Sequence, residues 1–282
     1  MFDKDKIGYL FIIIAMLIWG SIGVFVRWVP YSSELIVFYR VLFAFLFLLL
    51  LSVLKKDLKL NLLIDNKLLL LGSGVTLSLN WLFFFQAVKK TTIANATLSY
   101  YTSPVMVVLL SVLFLKERLR VREIISLLLG ILGISIMIFS PKNLLLDGRV
   151  GIVYGLLAAF CYSLFTLSSK MITDLSAQKL TLIQTGIATI ILFPIVLGYE
   201  LPDLHSIVLL VIMGVLHTAL ALVLYIKGLR LSKVQDVGIL SYLDPLSAIL
   251  FAMLFLSEIP SLSTFIGGIL ILLSSYLVIS KN

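Results

Sequence analysis

The stretch VGILSYLDPLSAILFAMLFL, Val237 to Leu256, decides how this chain is read. Coiled as a helix, a run this long and apolar covers the roughly 30 Å of hydrocarbon in a bilayer. Yet Asp244 and Pro245 stand side by side near its middle. Asp244 falls about ten residues into its span, which at 1.5 Å per residue puts it about 15 Å deep, near the midplane. Proline donates no N–H to the preceding turn, so the helix is expected to break there. Two readings of the acid follow. A carboxylate beside the break can accept backbone N–H groups at the start of the next half-helix. Alternatively it is a titratable or cation-binding group, because a buried charge is costly and is retained where ions or protons move.

The rest of the chain supports a membrane setting. The AVILMFWYC residues make up 61% of 282 positions, charged residues 13%, and the mean hydropathy is +1.17. Soluble domains run nearer half apolar and a quarter charged. The excess of 22 Lys+Arg over 14 Asp+Glu gives +8. That charge sits in short loops between apolar runs, which is the mark of a cytoplasmic membrane face rather than of nucleic-acid binding. Cys161, the single cysteine, can form no intrachain disulfide or zinc site and reads as a small packing residue. No cleavable signal is expected, since the run Ile7 to Val26 is too long for a signal core and lacks a small-residue cleavage site.

Cutting at charge and proline clusters gives ten apolar runs, near 7–26, 35–54, 67–88, 93–115, 121–140, 150–169, 177–198, 206–226, 234–256 and 262–280. They are continuously apolar rather than alternating, so helices are expected and not barrel strands. With both termini cytoplasmic, the inside carries Lys4, Lys6, Lys55, Lys56, Lys59, Lys67, Lys116, Arg118, Arg120, Arg122, Lys170, Lys179, Lys227, Arg230, Lys233 and Lys281. The outside carries Arg27, Lys89, Lys90, Lys142 and Arg149. Sixteen against five favours this orientation over its inverse, and Arg40, inside a span, completes the 22.

The chain also repeats. Adding 141 to Pro104 and Glu117 gives Pro245 and Glu258, Tyr101 lands on Tyr242, and LFLKE (113–117) lands on LFLSE (254–258). Earlier the register slips by two, and Gly8, Ala15 and Trp19 match Gly151, Ala158 and Tyr162. Five spans is an odd number, so the second unit, 142–282, is expected to enter the membrane inverted relative to the first, 1–141. Inverted repeats with broken helices meeting at the midplane are a transporter architecture. The expected fold is an all-α integral membrane protein of ten transmembrane helices in two inverted five-helix repeats.

The segment from Pro104 to Gly133, P-VMVVLLSVLFLK-E-RLRVREIISLLLGILG, and its C-terminal counterpart resemble the EamA module. Two modules in this length resemble the ten-helix members of the drug/metabolite transporter superfamily. The resemblance implies movement of small organic metabolites, often amino acids or related compounds and frequently as export. It also implies a cavity lined by helices one to four and six to nine, with five and ten outside it. One departure stands out: Gly130 and Gly133 fall on Ile271 and Ser274 in the second module, so tight packing is expected more of helix five than of helix ten.

Candidate site residues are the polar and aromatic groups inside spans. Arg40 lies about six residues into the second span, roughly 9 Å from its edge. It either snorkels to the interface beside Glu34 or serves as counter-charge for a substrate carboxylate or for Asp244. Trp19, Tyr39, Trp81, Tyr101, Tyr162 and Tyr242 are aromatic, and Trp19/Tyr162 and Tyr101/Tyr242 are repeat-related. Such residues either pack or face substrate. Asn80 with Phe84, and His217 with Tyr225, are four and eight residues apart, so each set shares a helix face. His217 reads as a hydrogen-bonded core residue or as a substrate or proton group. Gln184 could bond substrate or a neighbouring helix. Glu117 and Glu258 are read as structural partners of Arg118 or of backbone groups, and Pro104 and Pro245 as helix breaks.

No GxxxxGK[ST], GxSxG, HExxH or CxxC occurs, so ATP hydrolysis, an enzymatic activity, a metal site and a cofactor are all unexpected. The expected function is secondary transport of a small amphipathic metabolite such as an amino acid, by alternating access in the cytoplasmic membrane. Arg40 and the aromatics would select the solute, and Asp244 would couple protons or bind a cation. The rival within transport is a carrier of organic cations with Asp244 as counter-ion and aromatic faces around it. An intramembrane enzyme and a non-transporting membrane protein are the rivals from other classes. Expected partners are the solute and membrane lipid, with a homodimer allowed and no nucleic acid.

Overall fold

In lipid, every backbone N–H and C=O must find its partner inside the segment, so continuous apolar runs fold as helices. The computed structural model describes residues 4–57, 67–90, 93–138, 149–257 and 262–280, and among them there is no strand. Lys59, Lys142, Glu258 and Lys281 fall outside the described residues.

The first half comprises α1 (Lys4–Trp28), α2 (Ser33–Leu54), α3 (Lys67–Lys90), α4 (Ile93–Tyr100), α5 (Ser103–Leu115) and α6 (Val121–Ile138). The second comprises α7 (Arg149–Met171), α8 (Ala177–Leu192), α9 (Leu204–Ile212), α10 (Ala221–Leu231), α11 (Val234–Leu240), α12 (Leu243–Leu256) and α13 (Leu262–Ile279). A 3₁₀ turn, Phe193–Val196, extends α8, and a π-helical segment, Met213–Leu220, joins α9 to α10. Among the described residues, seven stretches are long and apolar enough to cross a membrane: Asp5–Trp28, Ser33–Leu54, Lys67–Lys90, Arg149–Met171, Ala177–Val196, Leu204–Leu231 and Val234–Leu256. The remaining predicted runs, near 93–115, 121–140 and 262–280, fall on α4 with α5, on α6 and on α13.

Helix starts follow local chemistry. Ser32, Ser176 and Asp203 accept the orphan N–H groups of Leu35, Lys179 and Ser206 at the heads of α2, α8 and α9. Helix ends α5 and α12 close alike: Lys116 and Ser257, 141 residues apart, both adopt the left-handed conformation (φ 54° and 56°), and each N–H returns to a carbonyl five residues back, Ser111 and Ala252. Many serine and threonine hydroxyls within the helices are satisfied by carbonyls three or four residues earlier, as Ser78 by Gly74 and Thr181 by Ala177.

Both expected breaks form. A turn at Tyr101–Thr102 separates α4 from α5 ahead of Pro104, and one at Ser241–Tyr242 separates α11 from α12 ahead of Pro245. In packing, α3 lies along α7, α6 along α13, and α2 against α8 and the π segment, while α1 packs on α10 and α12. Segments α4 and α5 rest on α7, and α5 also meets α11. The largest apolar cluster draws on both halves, including Ile12, Met16, Leu77, Val107, Phe165, Leu180, Tyr225 and Val237. Cys161 is a free, buried thiol on α7 within this packing.

Candidate functional site

The site is built where the two broken helices meet. Tyr101, in the first break, donates its hydroxyl to Asp244 Oδ2 at 3.3 Å, just past the second break. The capping reading of Asp244 finds no support in this geometry. Among the described residues the hydrogen bond that the Asp244 carboxylate accepts comes from the Tyr101 hydroxyl and not from a backbone N–H of α12. The carboxylate is therefore held by a phenol from the other half of the chain rather than by its own helix, and the residue keeps accessible surface.

Arg40 projects from α2 with its guanidinium 4.9 Å from the ring centre of Trp81 on α3. Its Nε is buried without a hydrogen-bond partner, and no ion pair forms between Arg40 and Asp244. Glu34 pairs with Lys89 and not with Arg40. A cation held by an aromatic face recovers roughly 0.5–2 kcal/mol, less than the several kcal/mol that desolvating a charge costs. Tyr100 lies within electrostatic reach of both Arg40 and Asp244. Asn80 faces the Tyr100 hydroxyl, and Phe84, one turn further along α3, packs on the Tyr100 ring at 4.9 Å.

A second aromatic cluster adjoins this one. Trp19 on α1 lies 5.2 Å from the Tyr225 ring on α10, and the Tyr225 hydroxyl is shared with Tyr162 and Thr166 of α7, each at 2.9 Å. Tyr100 and Tyr162 rings are 6.2 Å apart, so the clusters are continuous. Trp19 also donates its indole N–H to the carbonyl of His217 at 2.9 Å, and Ser21 meets His217 Nε2 at 2.9 Å. Phe25 packs its edge on the imidazole. His217 sits in the π segment, whose Gly214 lets α2 approach until a Cβ there would come 2.8 Å from the Arg40 carbonyl. Widened π turns of this kind recur at functional positions.

The structure therefore gathers Trp19, Arg40, Asn80, Trp81, Tyr101, Tyr162, His217 and Asp244. It places three other expected residues elsewhere. Tyr242 is fully buried and turned toward α6, where a Cβ on Gly130 would come within 2.4 Å of its ring. Tyr39 packs among Phe38 and Phe43. Gln184 is fully buried and donates to Ser73 and Ser169, tying α8 to α3 and α7. Glu117 accepts the N–H groups of Val234 and Gln235 at the head of α11, a backbone partnership in place of Arg118. Sequence reasoning passed over Asp236, an acid two residues into the ninth span, which accepts the Tyr9 hydroxyl at 2.8 Å. An acid inside an apolar run was the available signal. It also passed over Tyr100, hidden by its neighbour Tyr101.

A double match in the sequence decides the family. The model of the EamA-like transporter family fits residues 6–139 and again residues 149–280. The chain belongs to the EamA-like transporter family. Among its relatives is the uncharacterized transporter YxxF of Bacillus subtilis, 31% identical over 92% of this chain and 85% of that protein. An uncharacterized transporter of Archaeoglobus fulgidus is 30% identical over 95% of this chain and 94% of its own length. Protein RarD of Salmonella typhimurium is 28% identical over 91% and 89%. A solved crystal structure superposes with a TM-score of 0.85 at 18% identity, covering 96% of this chain and 97% of that one, which establishes a shared fold. As an EamA-like transporter the chain is a multi-pass membrane protein, in keeping with the seven membrane-length apolar helices among the described residues.

Proposed function

We propose that this EamA-like protein is a ten-span secondary transporter of small zwitterionic or amphipathic metabolites such as amino acids, working by alternating access and with Asp244 coupling protons. The observation that carries the solute class is the pair of opposite charges that have no ion-pair partner among the described residues, Arg40 over Trp81 and Asp244 on Tyr101, both within electrostatic reach of Tyr100. A carboxylate would neutralise the first, and the apolar portion of the solute would lie on the aromatic faces.

The inverted five-helix repeat is supported by register. Elements α6 and α13 begin and end 141 residues apart, at Val121 and Leu262 and at Ile138 and Ile279, and α4 and α11 begin 141 apart, at Ile93 and Val234. Contacts are exchanged in the same sense: α1 packs on α12 as α7 packs on α4 and α5, while α6 and α13 pair with each other. The distribution of basic residues supports cytoplasmic termini in the inner membrane, and export is the direction we propose. An organic-cation carrier is disfavoured, because Arg40 faces the same aromatic cluster and would repel such a solute.

Counterflow of labelled solutes into proteoliposomes tests this reading, since only a carrier is trans-stimulated. We expect trans-stimulation by one or more amino acids and none by simple amines. Arg40→Gln should weaken solute binding by about 100-fold, the usual consequence of removing one partner of a buried charge pair. Arg40→Lys should recover only part of it, because a point charge replaces a planar fork. Stimulation by amines alone, or full activity in Arg40→Gln, would overturn the solute assignment.

A further inference from the structure

The half-helices α4 and α11 begin 141 residues apart, yet only α11 is shut in on every side, with all residues from Val234 to Leu240 buried. In α4, Thr97 and Tyr100 keep accessible surface. Three sets of bonds hold the start of α11 closed. The Glu117 carboxylate accepts the N–H groups of Val234 at 3.3 Å and Gln235 at 3.4 Å, two orphan donors at a helix head that favours negative charge. Tyr9 donates to Asp236. Lys170 donates to the carbonyls of Leu229 at 2.7 Å and Ser232 at 2.6 Å, fixing the connection from α10 into α11. Glu117 and Tyr9 belong to the first repeat and α11 to the second, so two of the three cross between halves that must part for access to alternate.

Opposing them is Gln235. Its side chain is fully buried, and among the described residues neither its amide nitrogen nor its carbonyl oxygen has a partner; the Ser232 hydroxyl is likewise without one. A buried amide without partners forfeits the bonds water would give it, so any movement that wets this end favours the open form. We infer that the head of α11 is a gate on the side of the molecule bearing Lys116, Lys170 and Lys233, clasped by Glu117 and Tyr9 and biased toward opening by Gln235. The inference rests on the alternating-access reading for the two halves parting, and it adds the elements that hold them shut.

The test uses the full chain with Cys161→Ala, in oriented vesicles, with an impermeant maleimide applied to one side at a time. Val237→Cys reports on α11 and Thr97→Cys on α4. Tyr9→Phe and Glu117→Gln, each alone, should speed labelling of Val237→Cys from the Lys116 side by roughly fivefold, the shift a hydrogen bond of ordinary strength supports. Labelling of Thr97→Cys from the opposite side should fall in the same variants. Gln235→Leu should do the reverse, slowing labelling of Val237→Cys while raising the thermal unfolding temperature. Unchanged rates in both clasp variants would overturn the gate. So would faster labelling at Val237→Cys with no change at Thr97→Cys, which would mean local fraying. These readouts need no solute, so labelling that moves as expected upholds the gate even where no solute is exchanged.

Discussion

The two broken helices, α4–α5 and α11–α12, share their register, their proline and their left-handed closing residue, yet the chemistry occupies them unequally. The position after the break holds Ser103 in the first and Asp244 in the second. Ser103 is buried, whereas Asp244 keeps surface and is held by Tyr101. Tyrosines at equivalent positions also part company: Tyr101 turns toward the site, and Tyr242 turns away into the space beside Gly130. Repetition supplies two similar scaffolds whose environments differ.

The sharpest way to break this comparison is to equalise the two positions. Ser103→Asp would put a carboxylate into a closed site with no phenol to hold it. We expect a loss of about 3–5 kcal/mol in stability, seen as a collapse of monodisperse protein in detergent, as for an uncompensated buried charge. Survival of this variant near wild-type stability would mean the first break is as open as the second.

Asp244→Asn tests the other side of the pair. The amide keeps the shape, so the protein should fold, lose gradient-driven net transport to background and retain solute exchange. Loss of both activities would recast Asp244 as a counter-ion, and wild-type behaviour in both would leave it without a functional part. A smaller effect is expected from Gly130→Ala, where a methyl group would overlap the Tyr242 ring. Overpacking of about 1–3 kcal/mol should lower the unfolding temperature while sparing solute binding, because Tyr242 lies outside the site. Tyr101→Phe should cost about 1 kcal/mol through one lost hydrogen bond, and should impair coupled transport more than stability.

The smallest effect belongs to a residue away from both breaks. The backbone N–H of Ser206, aided by its hydroxyl and by Tyr31, holds the Asp203 carboxyl below its ordinary value of 3.8. A lowered folded value means its contribution is complete above the ordinary carboxylate range and disappears as pH falls through the lowered one. Melting curves of Asp203→Asn should therefore differ slightly from wild type at neutral pH and converge with it in strong acid.

Much of this protein was determined by sequence alone. The apolar runs, the proline breaks and the 141-residue register are properties of the chain itself, because in lipid only a helix satisfies the backbone and only proline or charge interrupts it. The placing of Asp244 and Arg40 inside apolar runs was equally legible, since charges at that depth are rare enough to stand out. Direction was not. Whether Tyr242 faces the site or α6, whether Gln184 meets solute or the hydroxyls of Ser73 and Ser169, and whether Arg40 reaches the interface or the face of Trp81 depend on which helix lies alongside. The π turns that set His217 against Ser21 leave no pattern of their own in the sequence, because they form where α9 and α10 must pack on α1 and α2 together. Depth in the membrane is a local property that composition records; the facing of a side chain is a relation between helices distant in the chain, and only tertiary packing decides it.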